Sequence, residues 1–154
     1  MTEVIQITPT LSNVVQVITT NETPNQILVT TARAPGVQQF VYQVQVFTVP
    51  GTINVGIGRA RFYIPGPITL SNVRASVSTA AAGSDIIVDV NLNGTTVFTN
   101  QNHRPKIFAG QVTCPTATPD VKELNTGDYL SVDIDQIGSI FAGSDLTVQI
   151  ELTP

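Results

Sequence analysis

The chain has 154 residues, of which 42% are hydrophobic and only 12% are charged, and its formal net charge is -4. A domain of this size can bury a core without disulfides or metal ions, and the single cysteine, Cys114, excludes an intrachain disulfide. The acidic balance and the seven scattered Lys and Arg residues argue against nucleic-acid binding, which needs a concentrated basic face.

The beginning of the sequence lacks the basic and then apolar pattern of a secretory leader. No apolar run reaches the ~20 residues that are needed to cross a bilayer. We therefore expect a chain that is made in a cytoplasm and is not inserted into a membrane.

The first 36 residues differ from the rest of the chain because they contain no aromatic residue. Runs at residues 4–7, 14–18 and 26–29 alternate with a period of two, which is typical of strands. Their side chains are too small to form a core of their own. We expect residues 1–36 to be an extended β arm, ordered by pairing with another chain or by lying along a main domain of residues 37–154.

Fuller strand patterns begin near Gln39. Residues 40–47 alternate, residues 70–77 form a later strand, and residues 130–134 form another. The side chains expected to face the core are Phe40, Tyr42, Val44, Val46, Val73, Ala75, Val77, Leu130, Val132 and Ile134.

One phrase occurs twice, at residues 82–92 and 142–152, and each copy begins with Ala-Gly-Ser-Asp. Each copy predicts a turn followed by a strand with one buried face. The predicted buried residues are Ile86, Val88, Val90, Leu92, Leu146, Val148, Ile150 and Leu152. The alternate residues, including Asp89 and Asn91, are expected to face solvent.

Asn93 and Gly94 form the clearest hairpin signal in the chain, because both tolerate the positive φ of a type I′ turn. This turn would place Leu92 opposite Thr95. The pattern of about eight strands from Gln39 onward predicts an all-β fold, an antiparallel β-sandwich of the jelly-roll kind. An immunoglobulin-like order is the alternative, although the Cys and Trp markers of that fold are missing.

Four carboxylates offer the chemistry of a calcium site: Asp128, Asp133, Asp135 and Asp145. Asp133 and Asp135 lie on the outward face of one predicted strand. Asp145, like Asp85, follows Gly-Ser, where a short side chain commonly caps a turn. Solvation and turn capping are favoured over metal binding, and we expect no metal or other cofactor.

Catalytic residues are not predicted. His103 is the only histidine, and neither a Gly-x-Ser-x-Gly elbow nor a Cys-His signature accompanies it. Arg59 and Arg61 would place two guanidinium groups on one outward face, where solvation is the simplest interpretation and a partner's carboxylates or an anionic glycan are the alternative.

The longest predicted loop covers residues 100–118 and is the candidate contact surface, because loops held by a rigid scaffold commonly carry function. Its amides and cations suit glycans, which offer both hydrogen-bond donors and acceptors. The candidate contact residues are Asn100, Gln101, Asn102, His103, Arg104 and Lys106. The alternative is a loop that only links strands and packs on a neighbouring subunit.

Several stretches together carry a resemblance: residues 62–70, 73–77, 88–98, 104–105, 127–139 and 143–148. In this order they resemble the β-sandwich domains of tail fibres and minor tail proteins in bacteriophages, including cyanophages, over residues 60–152. Residues 23–30 are also similar to a fibre-shaft strand that joins intertwined trimers. The family has no catalytic residues to transfer.

The resemblance implies a non-enzymatic virion protein, a tail-fibre or tail-tip subunit that attaches to the host surface, where the candidate contact loop could meet a glycan. Because the N-terminal segment has strand-forming residues but too little bulk for its own core, we also expect a homotrimer. The N-terminal arm would join the trimer and contact other virion proteins. The alternatives are a capsid cement or head-decoration protein and, outside any virion, a carbohydrate-binding or carbohydrate-active protein.

Overall fold

Strands make up nearly all of the regular structure in the computed structural model, which describes residues 4–7, 14–18, 28–32, 43–58 and 60–154. The prediction of an all-β fold is confirmed. The chain divides into two units, Met1–Gln39 and Phe40–Pro154.

The described residues of the first unit form three strands, β1 (Val4–Ile7), β2 (Val14–Ile18) and β3 (Leu28–Ala32), in an antiparallel meander. β2 is the middle strand and pairs with both neighbours. The sequence pattern located these strands to within a few residues. The three strands pair with one another, which the sequence analysis did not anticipate, and the expectation that another chain or the main domain orders this segment stays a prediction.

In the second unit, the residues that the structure describes form nine strands and one turn of 3-10 helix, Gln101–His103. The strands are β4 (Gln43–Thr52), β5 (Phe62–Tyr63), β6 (Ile68–Ser76), β7 (Ile86–Leu92), β8 (Thr95–Thr96), β9 (Lys106–Ile107), β10 (Glu123–Leu124), β11 (Tyr129–Gln136) and β12 (Ser144–Thr153).

These strands form two antiparallel sheets. The front sheet has the order β10-β6-β12-β4, and the back sheet has the order β5-β11-β7-β8, with β9 also paired to β7. If the short β8 and β9 together count as the fifth of eight strands, the two orders are 6-3-8-1 and 2-7-4-5. This arrangement is the double Greek key of a jelly roll, and the predicted jelly-roll sandwich is therefore confirmed.

The core lies between the two sheets. Both copies of the repeated phrase contribute one face to it, as the alternation predicts, and only Leu92 of that set is partly exposed. The predicted inward residues of β6 and β11 are buried as well. The residues of these strands that reach the core are Leu70, Val73, Ala75, Ile86, Val88, Val90, Leu130, Val132, Ile134, Leu146, Val148, Ile150 and Leu152.

The inward face predicted for β4 is wrong. Val44 and Val46 are 50% and 44% exposed, whereas Gln45 and Phe47 are partly buried. The pairing with β12 sets this register, because Phe47 lies opposite Val148, whose side chain points into the core. A change of one residue in register turns every side chain of a strand over. Phe40 and Tyr42 lie outside the described residues.

Asp89 and Asn91 lie on the outer face of the back sheet, as predicted, but they are not exposed. Only 7% of Asp89 and 8% of Asn91 is accessible. Side-chain hydrogen bonds engage both residues: Asp89 accepts the Thr96 hydroxyl at 2.7 Å, and the Asn91 amide donates to Asp133 of β11 at 2.8 Å. The segment after β4 runs along the edge of β11, where Gly56 exchanges backbone hydrogen bonds with Ile134 and Gly58 donates its N–H to Asp133 at 2.7 Å. A Cβ at Gly58 would lie 1.7 Å from the carbonyl oxygen of Val132, so only glycine allows this approach.

The predicted hairpin is also confirmed. Asn93 and Gly94 have φ values of 54° and 86°, which are typical of a type I′ turn, and Leu92 lies opposite Thr95. The Asn93 side chain further ties the turn to the start of β11, because its oxygen accepts the Tyr129 N–H at 3.0 Å.

Candidate functional site

The predicted contact loop is built onto the sandwich at both of its ends. Phe98, fully buried in the core, precedes it. Further along, Ala117 exchanges two backbone hydrogen bonds with Val73 of β6, at 2.8 and 2.9 Å. The sulfur of Cys114 accepts the Ala75 N–H at 3.0 Å, and burial raises the pKa of this thiol. The loop is therefore a fixed part of the fold.

Asn100 and Gln101 hold the loop in shape. The Asn100 side-chain oxygen accepts the Asn102 N–H at 3.1 Å, which caps the 3-10 turn. The Gln101 amide donates to the carbonyl oxygen of Phe98 at 2.7 Å. Both side chains are thus engaged within the loop.

His103 is held between two side chains. Its Nδ1 lies 2.8 Å from an oxygen of Asp120, and its Nε2 lies 3.0 Å from the amide nitrogen of Asn100. Because the Asn100 oxygen is occupied by the cap, its NH2 group faces the ring and Nε2 is the acceptor. The ring therefore carries its proton on Nδ1 and donates it to Asp120.

Asp120 is the acceptor around which this part of the loop is organised. It receives the backbone N–H of Asn100 at 2.8 Å and the hydroxyl of Thr99 at 3.1 Å, in addition to His103. The Asn100 N–H, followed by His103, lowers the pKa of this carboxyl group. Both carboxylate oxygens have protein partners.

Arg104 points back toward the sandwich. Its guanidinium forms an ion pair with Asp135 at the end of β11, and its Nε donates to the carbonyl oxygen of Gln101 at 3.0 Å. Only 19% of the Arg104 side chain is exposed. This cation therefore joins the loop to the back sheet.

Four of the six predicted contact residues line one open cleft, with a volume of about 660 Å³. They are Asn102, His103, Arg104 and Lys106. Asn100 and Gln101 do not line it. Residues from the rest of the loop and from the approach to β10 complete the wall: Phe108, Pro115, Thr116, Ala117, Thr118, Pro119, Asp120 and Lys122.

Three of these lining residues were not named by the sequence analysis: Phe108, Asp120 and Lys122. Asp120 follows a proline, which is a common turn signal, but nothing local links it to His103. Lys122 lines the cleft because the chain returns along β6 before β10 begins, a path that the local sequence does not reveal. Phe108 could have been read as a core residue, yet it is 50% exposed.

The carboxylates considered for calcium each bind donors of the protein. Asp128 accepts the Asn125 N–H at 2.7 Å and the Asn93 amide at 2.7 Å, and these bonds lower its pKa. Asp145 accepts the Gly51 N–H at 2.8 Å and the Ser144 hydroxyl at 3.1 Å, so it joins the end of β4 to its own turn. No group of three or more His, Cys, Asp or Glu residues suited to a metal occurs in the described part of the chain.

Of the two arginines predicted to share an outward face, Arg59 lies outside the described residues. The Arg61 guanidinium lies 4.6 Å from the centre of the Tyr129 ring, a cation–π contact. Tyr63 packs against the same ring, with 5.8 Å between the ring centres.

Among the residues described here, none belongs to a helix long and apolar enough to cross a membrane. No family model matches the chain, and no curated protein is similar enough to count as a relative.

Proposed function

We propose that this protein is a non-enzymatic virion surface protein, a tail-fibre or tail-tip subunit that attaches to the host surface through the cleft of residues 102–122. The observation that carries the proposal is the position of this cleft: it is formed by a long, well-fastened loop on a jelly-roll sandwich. Jelly rolls are common in viral structural proteins and lectins, and their loops commonly carry binding sites.

The geometry around His103 supports a binding role over hydrolysis. Its contact with Asp120 is that of the base and its orienting carboxylate in a catalytic triad. The other ring nitrogen, however, faces the amide of Asn100 and not a serine or cysteine that it could activate. In this arrangement the His103 ring fastens the loop.

A homotrimer belongs to the same proposal, with the N-terminal unit as its joint. The meander leaves β1 and β3 as edge strands within that unit, and edge strands pair readily with another chain. Three clefts on one axis would give avidity even if each bound weakly. Light scattering of the full chain should give three times the monomer mass, and a monomeric mass would overturn this part.

A capsid cement or head-decoration protein is the second candidate, and the β4 edge favours it. Val44 and Val46 are exposed on the outer face of this strand, and an apolar groove of about 300 Å³ on its other side is lined in part by Phe47 and the exposed Ile57. Such a surface could seat on a protein shell.

Immunogold labelling separates the candidates. An antiserum against the full chain is applied to purified particles of the phage whose genome encodes the chain. Label at the tail supports the attachment role, and label spread over the head supports decoration. Particles that carry no label, from a stock in which the protein is expressed, would exclude both and leave a carbohydrate-binding or carbohydrate-active protein outside the virion.

A further inference from the structure

The cleft of residues 102–122 gathers positive charge on an acidic protein. The formal net charge of the chain is -4, and it contains seven Lys and Arg residues in all. Both of its lysines, Lys106 and Lys122, line this cleft together with Arg104. Asp120 is the one acidic residue in the lining. The local potential is therefore opposite in sign to that of the whole molecule.

Not all of these charges are available to a ligand. Arg104 is paired with Asp135, and Asp120 uses both oxygens for donors within its own loop. The two lysines differ: no ion pair or side-chain hydrogen bond joins either of them to another of the described residues. The cleft thus presents two ammonium groups without a partner carboxylate, and these can meet an anion.

An apolar surface lies beside the lysines. Phe108 is 50% exposed and faces the cleft, with Pro115 and Pro119 also in the wall. A half-exposed aromatic ring provides a flat surface on which the apolar face of a sugar ring can lie. The side-chain amide of Asn102 and the hydroxyl of Thr116 add groups that can bond sugar hydroxyls.

We infer that the cleft binds an acidic glycan, a segment of polysaccharide whose sugar carboxylates meet Lys106 and Lys122 while one ring lies on Phe108. The inference rests on the proposed role in surface attachment and names the class of receptor. The cleft volume of about 660 Å³ lies within the range of ~300–1,000 Å³ that is usual for ligand sites, so it can hold a short oligosaccharide and not only a single ion.

A nucleic acid would also bring negative charge, but it fits the cleft less well. Proteins that hold single strands use a continuous basic groove with several aromatic stacking platforms. The cleft offers two unpaired lysines and one exposed aromatic ring. The experiment below includes nucleic acid as one of its outcomes.

The test is calorimetric titration of the full chain with a hexamer of galacturonic acid. A neutral maltohexaose and a dT hexamer serve as comparison ligands. We expect the uronate hexamer to bind and its affinity to fall as salt is raised, because exposed charge pairs are screened. Equal binding of the neutral hexamer, tighter binding of the dT hexamer, or no binding of the uronate would each overturn the inference.

Variants assign the binding to the named side chains. Lys106→Gln combined with Lys122→Gln should lower the affinity at least tenfold, and Phe108→Ala should do the same. The matched control is Arg74→Gln, which removes an exposed cation on the outer face of the front sheet and should change the affinity less than twofold. Lys122→Gln alone, at an exposed position, should retain the wild-type melting temperature and still weaken binding. Unchanged affinity in the double lysine variant would place the ligand elsewhere.

Adsorption of the full chain to host cells distinguishes this inference from the function on which it rests. If the protein coats cells but the double lysine variant coats them equally, attachment stands and the acidic-glycan inference fails. If the uronate hexamer binds as expected but the protein neither coats cells nor labels particles, the ligand class stands and the attachment role fails.

Discussion

Phe98 and Phe108 are ten residues apart, one fully buried and the other 50% exposed. Truncation of each to alanine tests whether the loop is fastened through Phe98 while Phe108 is left for binding. Phe98→Ala removes roughly 120 Å² of buried apolar surface, worth about 3 kcal/mol, and leaves a cavity. The total cost should therefore be about 3–5 kcal/mol, as is usual for a core Phe→Ala change.

Phe108→Ala removes a ring that is half in water already, and no enclosed cavity can form. Its cost should be about 1–1.5 kcal/mol by the same area argument. For a domain of this size ~1 kcal/mol corresponds to about 3–6 °C in melting temperature. Phe98→Ala should therefore lower the melting temperature by roughly 9–30 °C, and Phe108→Ala by roughly 3–9 °C.

The assay is thermal and urea unfolding of the full chain, followed by circular dichroism. Comparable urea dependences (m-values) in the two variants would show that they unfold from similarly compact native states. Equal losses of stability in the two variants would refute the burial assigned to Phe98 and the exposure assigned to Phe108. A larger loss in Phe108→Ala would mean that this ring is part of the core and not part of the cleft wall.

Three further perturbations address the back sheet. Val90→Asp places a charge at a fully buried position and should unfold the sandwich at room temperature. Gln149→Asp, the control at an exposed position, should change the melting temperature little. Similar melting of the two variants would contradict the faces assigned to these residues. Burial raises the pKa of Asp89, so this group's contribution to stability is full below its ordinary value of 3.8 and is lost as pH rises through the folded-state pKa. Asp89→Asn can keep the hydrogen bonds from the Thr96 hydroxyl and the Val90 N–H, but it cannot ionise. Between pH 4 and 7 the free energy of unfolding of this variant should therefore fall less with rising pH than that of the wild type. Identical slopes of unfolding free energy against pH would be inconsistent with the raised pKa. Gly94→Ala puts a Cβ at a φ of 86° and should cost about 1–2 kcal/mol in urea unfolding, and a neutral effect would contradict the type I′ turn.

Local sequence determined the strands and the hairpin. The period of two in the repeated phrase is a property of neighbouring side chains, so it located β7 and β12 and the faces that Val90 and Ile150 bury. Asn93 and Gly94 specified their turn because only a few residue types accept positive φ at both positions. The strand count from Gln39 onward favoured a jelly roll over an immunoglobulin-like order, and the pairing of the strands then gave the order itself.

Tertiary structure decided what covers each face. β4 alternates two sets of residues of similar apolarity, and its pairing with β12 selected Phe47 for the inner side and left Val46 exposed. Asn91 occupies the outer face that its position predicts, but it is only 8% accessible, and its amide donates to Asp133 of the neighbouring strand β11. Neither outcome follows from local periodicity, because each depends on a segment distant in the chain.

The cleft has the same origin. The sequence pattern singled out residues 100–106 as polar, but it could not distinguish side chains that fasten the loop from side chains that face solvent. Asp120 forms a hydrogen bond with His103, which lies 17 positions earlier in the chain. The path of the chain beside β6 places Lys122 in the same cleft wall as Lys106. Local sequence determines strands and turns through interactions between near neighbours, whereas a binding surface depends on which distant segments the fold brings together.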